Sequence, residues 1–585
     1  MRFIRTFQKR NLLLVLFVIT AVAVLLLVRV FYLMVPGSGR LSAAAKELHE
    51  RERVIKAERG KIYDRNGEVL ADNMPVCTIS VIHNQITDAE RVIEVLCEEL
   101  DLSEAYVRKR VEKYSSIETI KTNVDKEIAD AIRAYELDGV MVDEDYRRYY
   151  PYGTLASKVL GFTGSDNQGI LGLEVKYDFW LKGENGKILT MATAHGAEIP
   201  DMAETMVTPV SGNSIKTSLD VVIQSYAEQI AMQVLEAKSA KNVSILVMNP
   251  KNGEMYALVN VPEYDLNQPY ELTEFYLSGV SEGELSQEKK TELLNQMWRN
   301  SCISDTYEPG SAFKIVTATA ALEHGALSIS DHFHCPGYKI VADRRIRCHK
   351  TQGHGSQTFT EAIMNSCNPA FMEIGGRTGI SNLYETFRKL GLFGKTGIDL
   401  PGEASSIMHK EENVKEVELA TVSFGQSFQI TPLQLMSAVS TVVNGGTRIT
   451  PHFVTEIVNN AGVTIKTVEG TGETGAVSEE TSEIMRSVLE KVVSEGTGHN
   501  AYVEGFRIGG KTATSEKLPR RSGKYIASFI GFAPAEDPEV IAMVIIDEPE
   551  GQYYGGTIAA PVMAELFESV LPYLGIKSAP IAESE

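Results

Sequence analysis

The sequence has 585 residues, 43% of them hydrophobic and 23% charged, which excludes a single small core and a disordered chain. Its net charge is -20, and the first 35 residues hold only positive charges: Arg2, Arg5, Lys9, Arg10 and Arg29. The rest holds 52 basic residues against 77 acidic, a net -25, and so acidic a body repels polyanions, so no nucleic-acid partner is expected.

The basic opening "MRFIRTFQKR" is followed at 11–35 by "NLLLVLFVITAVAVLLLVRVFYLMV", apolar apart from Asn11, Thr20 and Arg29. A bilayer core takes about 20 apolar residues in helix, so this run predicts a transmembrane anchor. The rival is a cleaved signal peptide with "SAAA" as its cleavage site, but a signal's apolar region is shorter, about 7–15 residues. Basic flanks stay cytoplasmic. The expectation is therefore a single-pass membrane protein, with residues 1–10 a cytoplasmic tail and the body outside the cell membrane.

Next, "LSAAAKELHERERVIKAERG" reads as a charged juxtamembrane helix. "RGKIYDRNGEVLADN" (Arg59–Asn73) predicts a hairpin turning at Asn66-Gly67. Residues 85–140 alternate short helical patterns with charged stretches. "RRYYPYGTLASKVLGFTG" and "GILGLEVKYDFWLKGENGK" follow, rich in glycine and aromatics. Through residue 214 this reads as a mixed spacer domain without chemistry of its own.

A second domain opens at "IKTSLDVVIQSYAEQIAMQVLEA", where Asp220 is placed to cap a helix. "VSILVMNPKNGEMYALVNVPEYD" predicts two strands around Asn252-Gly253, and residues 271–300 an exposed helix or loop. Two further β-rich runs fill "ASFIGFAPAEDPEVIAMVIIDEP", and "APVMAELFESVLPYL" closes as a helix. Strands at both ends with helices between predict an antiparallel sheet built from both ends of the domain.

The chemistry centres on "TYEPGSAFKIVTATAALEHG". Pro309-Gly310 ends a loop and a helix is expected to start near Ser311. Positions three apart share a helix face, so Ser311 and Lys314 meet. A serine hydroxyl needs a neighbouring base to act as a nucleophile, and a lysine with a depressed pKa supplies one. Alone, Ser-x-x-Lys is equally a capping serine beside a solvated lysine. Two further motifs follow in order: Ser366-Cys367-Asn368, and Lys511-Thr512-Ala513-Thr514 after two glycines. Ser-x-x-Lys, Ser-x-Asn and Lys-Thr-Gly in this order are the set of penicillin-binding proteins and serine β-lactamases.

On these motifs, together with "RGKIYDRNGEVLA", "YYPYGTLASKVLGFTG", "GLEVKYDFWLKG", "SFGQSFQITPLQL" and "GGTIAAPVM", the sequence resembles a class B penicillin-binding protein over nearly its whole length, nearest to the division and spore-cortex type of Gram-positive bacteria. The resemblance implies an α+β penicillin-binding transpeptidase fold, an antiparallel sheet flanked by helices. An extended mixed pedestal at 36–214, a transpeptidase domain at 215–575, a tail at 576–585 and the anchor at 11–35 complete it. It implies peptidoglycan D,D-transpeptidase activity on stem peptides, inhibition by β-lactams, no cofactor and no metal, and binding of a polytopic cell-wall glycosyltransferase through anchor and pedestal. Ser311 is then the acylated nucleophile and Lys314 its base. Ser366 relays a proton, and Asn368 holds substrate and Lys314. Lys511 draws the substrate carboxylate, and Thr512 and Thr514 hydrogen-bond that carboxylate or the acyl side. The backbone N–H groups of Ser311 and Thr514 form the oxyanion hole.

The alternatives are a bifunctional class A enzyme, a β-lactamase or carboxypeptidase, and an anchored β-lactam sensor or scaffold with weak or no catalysis. The first would need a glycosyltransferase domain between anchor and transpeptidase, where residues 36–215 instead carry pedestal motifs. The sequence departs from the family at Ala513, where glycine is usual; its methyl group either crowds a substrate lying against the strand or points away into the sheet, and slower acylation by some β-lactams is the expectation.

Six cysteines (Cys77, Cys97, Cys302, Cys335, Cys348, Cys367) are too few for a disulfide scaffold. Cys335 and Cys348 flank "PGYKIVADRRIR", which reads as a hairpin. A disulfide, two free thiols, or zinc shared with His332, His334, His349 or His354 remain open there. Cys367 reads as a small buried side chain, with a redox-sensitive thiol as the rival.

Overall fold

A computed structural model describes residues 2–35, 50–115, 117–191, 205–280 and 285–578. The chain forms two compact units that alternate along the sequence. The smaller comprises Met1–Glu58, Pro75–Arg147 and Glu184–Val210, and the larger Arg59–Met74, Arg148–Gly183 and Ser211–Glu585.

The smaller unit begins with the helix Arg2–Met34, whose stretch Lys9–Met34 has a mean hydropathy of 3.0 and exposed apolar side chains. At 1.5 Å per residue, 26 residues reach about 39 Å, enough for a hydrocarbon core of about 30 Å. Further on, strand Glu118–Asp125 pairs antiparallel with residues 76–81, and helices Ala89–Leu100, Glu104–Val111 and Lys126–Ala134 cover it. The expected juxtamembrane helix is corrected in part. Residues 41–49 lie outside the described residues, but Glu50–Ile55 is a strand paired with Gly186–Met191. Its Glu-Arg alternation is neutral between helix and strand, and a partner more than a hundred residues away decides.

In the larger unit the expected hairpin forms: residues 62–63 pair with 69–71, and Gly67 takes φ +93° at the turn. Asp220 caps the helix Val221–Ala237 by accepting from the N–H groups of Val222 and Ile223. The central sheet is antiparallel throughout, in the order Met255–Val261, Asn242–Met248, Val540–Asp547, Tyr525–Ala533, Gly509–Glu516. Both faces are covered, so a strand such as Val540–Asp547 is buried at every position. Val540, Ala542, Val544 and Ile546 pack with the helices Val221–Ala237 and Ala560–Tyr573. Ile541, Met543 and Ile545 face the other way, into the core that holds Phe313, Ile315 and Val316 of the Ser311 segment. Within 271–300 the helix Gln287–Trp298 is anchored by buried Leu293, Leu294 and Met297, so it is only partly exposed.

Candidate active site

Gly310–Phe313 form a 3-10 turn that runs into the α-helix Lys314–Glu323. With three residues per turn, side chains at i and i+3 stand in line. Lys314 Nζ accordingly lies 3.1 Å from Ser311 Oγ. The α-helix thus begins at Lys314, and Ser311 belongs to the tighter turn before it. Gly310 makes that turn possible: its φ is +56°, and a Cβ there would lie 2.5 Å from Ser515 Oγ. The turn is fixed from behind, where Gly310 N donates to Gly425 O at 2.9 Å and Tyr307 and Ile430 exchange backbone bonds of 3.0 Å.

The second segment follows the helix Phe359–Met364. Ser366 has φ +49°, a left-handed conformation that costs a non-glycine residue about 1–3 kcal/mol. In it, both the carbonyl and the hydroxyl of Ser366 reach Lys314 Nζ, at 2.6 and 3.2 Å. Asn368 opens the helix Asn368–Thr378, and its Oδ1 accepts from Lys314 Nζ at 2.8 Å. One buried amine therefore touches Ser311, Ser366 and Asn368.

The third segment is the sheet's edge strand, Gly509–Glu516. Lys511 is fully buried, and among the described residues its Nζ bonds only the carbonyl and hydroxyl of Thr512, each at 3.3 Å. Thr514 Oγ1 accepts from Gly555 N at 2.9 Å, which ties the strand to the "GGTI" turn. Among the described residues no carboxylate pairs with Lys314 or Lys511. Burial pulls Lys314 down to about 8, against a weaker opposite pull from Cys367 and Cys348. Burial, with Lys314 as a further cause, holds Lys511 well below the usual lysine range. Two buried amines without a counter-ion favour an incoming anion. A hydroxyl beside a low-pKa amine, with a second amine to attract an anion, is suited to acyl transfer from an anionic substrate.

Ala513 lies on this strand between Thr512 and Thr514; the residue is 3% exposed and belongs to the hydrophobic core that includes Phe313. So buried a methyl offers almost no surface to a ligand, which moves the expected consequence from drug access to packing. Ala513→Gly is expected to be acylated by penicillins at the parent's rate and to lose about 1–2 kcal/mol of stability. Stopped-flow acylation alongside thermal unfolding checks both halves; a clear gain in acylation rate would restore the steric reading.

Sequence reasoning left His354, Cys335 and Cys348 without a place near Ser366-Cys367-Asn368. The structure gathers these three side chains around Cys367. The available signal was the run Cys-x12-Cys-x5-His-x12-Cys, which ends inside the second motif.

Residues 243–568 match the family described as the penicillin binding protein transpeptidase domain, and residues 54–217 the penicillin-binding protein dimerisation domain. The sequence is 40% identical over 588 residues to stage V sporulation protein D of Bacillus subtilis, covering 98% of this chain and 87% of that protein. It is 27% identical over 570 residues to the peptidoglycan D,D-transpeptidase FtsI of Escherichia coli, covering 94% of this chain and 90% of that one. Among solved structures, penicillin binding protein 2X from Streptococcus thermophilus superposes with a TM-score of 0.72 at 20% identity, covering 90% of this chain and 81% of that one. A peptidoglycan synthetase from Bifidobacterium adolescentis does so with 0.72 at 22%, covering 92% and 98%. At these identities the structural likeness bears on the fold alone.

Proposed function

The chain belongs to the class B penicillin-binding proteins, and from that premise we propose that it is a peptidoglycan D,D-transpeptidase in which Ser311 carries the acyl group. The observation that supports this reading is the single buried amine of Lys314 within hydrogen-bonding distance of Ser311 Oγ, Ser366 Oγ and Asn368 Oδ1.

As a neutral amine, Lys314 takes the proton of the Ser311 hydroxyl. Ser311 Oγ then attacks the carbonyl carbon of the penultimate D-alanine of a stem peptide. The oxyanion faces the backbone N–H groups of Ser311 and Thr514, where fixed donors need no reorganisation. Ser366 passes the proton on to the leaving amine, and the terminal D-alanine departs. An amine from a neighbouring stem attacks the acyl-enzyme and returns the hydroxyl to Ser311. Asn368 holds the substrate amide as well as Lys314. Lys511 attracts the terminal carboxylate, with Thr512 and Thr514 as hydrogen-bond donors to it. A β-lactam enters as a donor mimic and stays on Ser311.

For the whole chain the proposal is a cytoplasmic tail at 1–10, an anchor at 11–35, a pedestal at 36–214 and a catalytic domain at 215–575 outside the membrane. Anchor and pedestal together would receive a polytopic glycosyltransferase that supplies the glycan strands.

The test uses the full-length chain in detergent, incubated with benzylpenicillin and weighed intact. The parent is expected to gain the mass of one penicillin, Ser311→Ala none, and only the parent should release D-alanine from a stem pentapeptide. An adduct that survives in Ser311→Ala, or a parent that neither binds penicillin nor turns over the peptide, would overturn the assignment.

A further inference from the structure

Beside the acylation site lies a cluster of metal-ligating side chains that the reaction does not use. One ligand atom each from Cys335, Cys348, His354 and Cys367 lies within 4.8 Å of all the others. None of the three sulfurs is in a disulfide. The cysteines are buried and His354 is half-buried. The four come from separate places. Cys335 ends the strand His332–Cys335, and Cys348 follows the hairpin of Tyr338–Val341 and Arg344–Arg347. His354 precedes the strand Gly355–Thr358, which pairs with the Cys335 strand, and Cys367 stands between Ser366 and Asn368.

The dimensions fit an ion. Tetrahedral zinc with Zn–S of about 2.3 Å and Zn–N of about 2.0 Å sets its ligand atoms roughly 3.5–3.8 Å apart. Cys348 Sγ and His354 Nδ1 are 3.7 Å apart. Three thiols and one imidazole, drawn from four separate places in the chain, are a donor set of the kind that structural zinc sites use. The loop closes tightly: Gly353 has φ +89°, and a Cβ there would fall 2.3 Å from Cys335 O.

We propose that this chain binds one zinc ion through the thiolates of Cys335, Cys348 and Cys367 and the neutral imidazole of His354. Four protein ligands leave no open position, so the ion is structural and not a reactant. Any of the three thiols still protonated gives up its proton on binding, and the loaded site has a net charge of -1. The ion would join the 338–347 hairpin to the loop that aims Ser366 and Asn368 at Lys314, with both loop residues acting from either side of a metal ligand. Asn368 Nδ2 already leans on that hairpin, 3.4 Å from Arg347 O. Exposed His349, whose Nδ1 is 3.8 Å from Cys348 Sγ, is the natural competitor and serves as the control.

The site stands apart from the acyl-transfer assignment, because metal content is measured without turnover. The full-length chain is purified in detergent without chelator, and its free thiols are trapped by alkylation at lysis in a parallel sample. Plasma mass spectrometry is expected to find about one zinc per chain. Cys335→Ser and His354→Gln should lose it and His349→Gln should keep it. Cobalt exchanged into the parent should give the intense visible bands of a tetrahedral site together with thiolate charge transfer, a readout that needs no variant to fold. A parent without zinc and without a cobalt-thiolate spectrum overturns the proposal. So does a disulfide among the three cysteines in the trapped sample, or zinc retained in full by both ligand variants.

Discussion

Replacing Lys314 by methionine is expected to slow acylation of Ser311 by penicillin about 10³–10⁴-fold, the scale of a lost general base acting on a weak nucleophile. Methionine keeps the length of the side chain and the burial of its stem but removes the group that bonds Ser311, Ser366 and Asn368. The parent's pH profile makes the same point without a mutation. The active form is the neutral amine, so the rate should rise with pH and level off above about 8, the value to which burial lowers Lys314. An ordinary lysine would be neutral in only ~0.1% of molecules at pH 7.5, against ~25% at a pKa of 8. Rapid-quench acylation from pH 6 to 10, with thermal unfolding to show that the variant is folded, checks both. A flat profile over that range, or a variant acylated at the parent's rate, would remove Lys314 from its role.

The second large effect concerns folding. Glu174→Gln is expected to cost about 3–5 kcal/mol, because among the described residues it leaves buried Arg148 without a counter-ion and Arg59 with Asp178 alone. Glu174 Oε2 accepts from Arg59 Nε and Oε1 from Arg148 Nε, each at 2.6 Å, and all three side chains are at most 2% exposed. Arg59 also donates to Asp178 Oδ1 at 2.7 Å and to the Glu174 carbonyl at 2.7 Å, and Tyr150 OH donates to Glu174 Oε1 at 3.3 Å. Arg148→Met should cost less, since Glu174 keeps Arg59 and since among the described residues Arg148 Nη1 and Nη2 have no partner to lose. The pH dependence has a definite sign. Burial alone would raise the Glu174 carboxyl, but Arg148 and Arg59 outweigh it and hold it below the usual range. Its contribution is therefore complete above the unfolded value of about 4.3 and is lost as pH falls through the folded one. Urea unfolding at pH 7 and pH 3 should show the parent-to-variant gap narrowing in acid. A gap that stays constant would mean that the charge is not what Glu174 contributes.

The parts of this protein that were legible in its sequence are those whose cause lies within a turn or two of chain. Ser311 and Lys314 sit three apart on one turn, Asp220 caps its own helix, Asn66-Gly67 and Asn252-Gly253 make their own turns, and 25 residues of apolar chain make a helix suited to lipid. Strands early and late in the second domain, with helices between, foretold the antiparallel sheet built from both of its ends. The three motifs, in their order, named the chemistry through the resemblance they carried.

Tertiary structure decided what depends on partners far away in sequence. The Glu50–Ile55 strand owes its form to Gly186–Met191 across a sheet. The 3-10 turn at Ser311 follows from the close approach of Ser515 to Gly310. Arg59 belongs to the hairpin stretch and Arg148 and Glu174 to two glycine- and aromatic-rich stretches, all in a region that reads as a spacer without chemistry, yet they close on one another as a single buried charge cluster. Ala513, whose methyl the sequence leaves open to either a ligand's edge or the sheet, packs in the core. Cys367 looked like a small buried residue because its companions, Cys335, Cys348 and His354, lie 13 to 32 positions away, and only the folding of a hairpin brings them into reach. Local patterns are written by adjacent side chains competing for one stretch of backbone; pairing across loops is settled by burial and by which distant groups satisfy one another's charge.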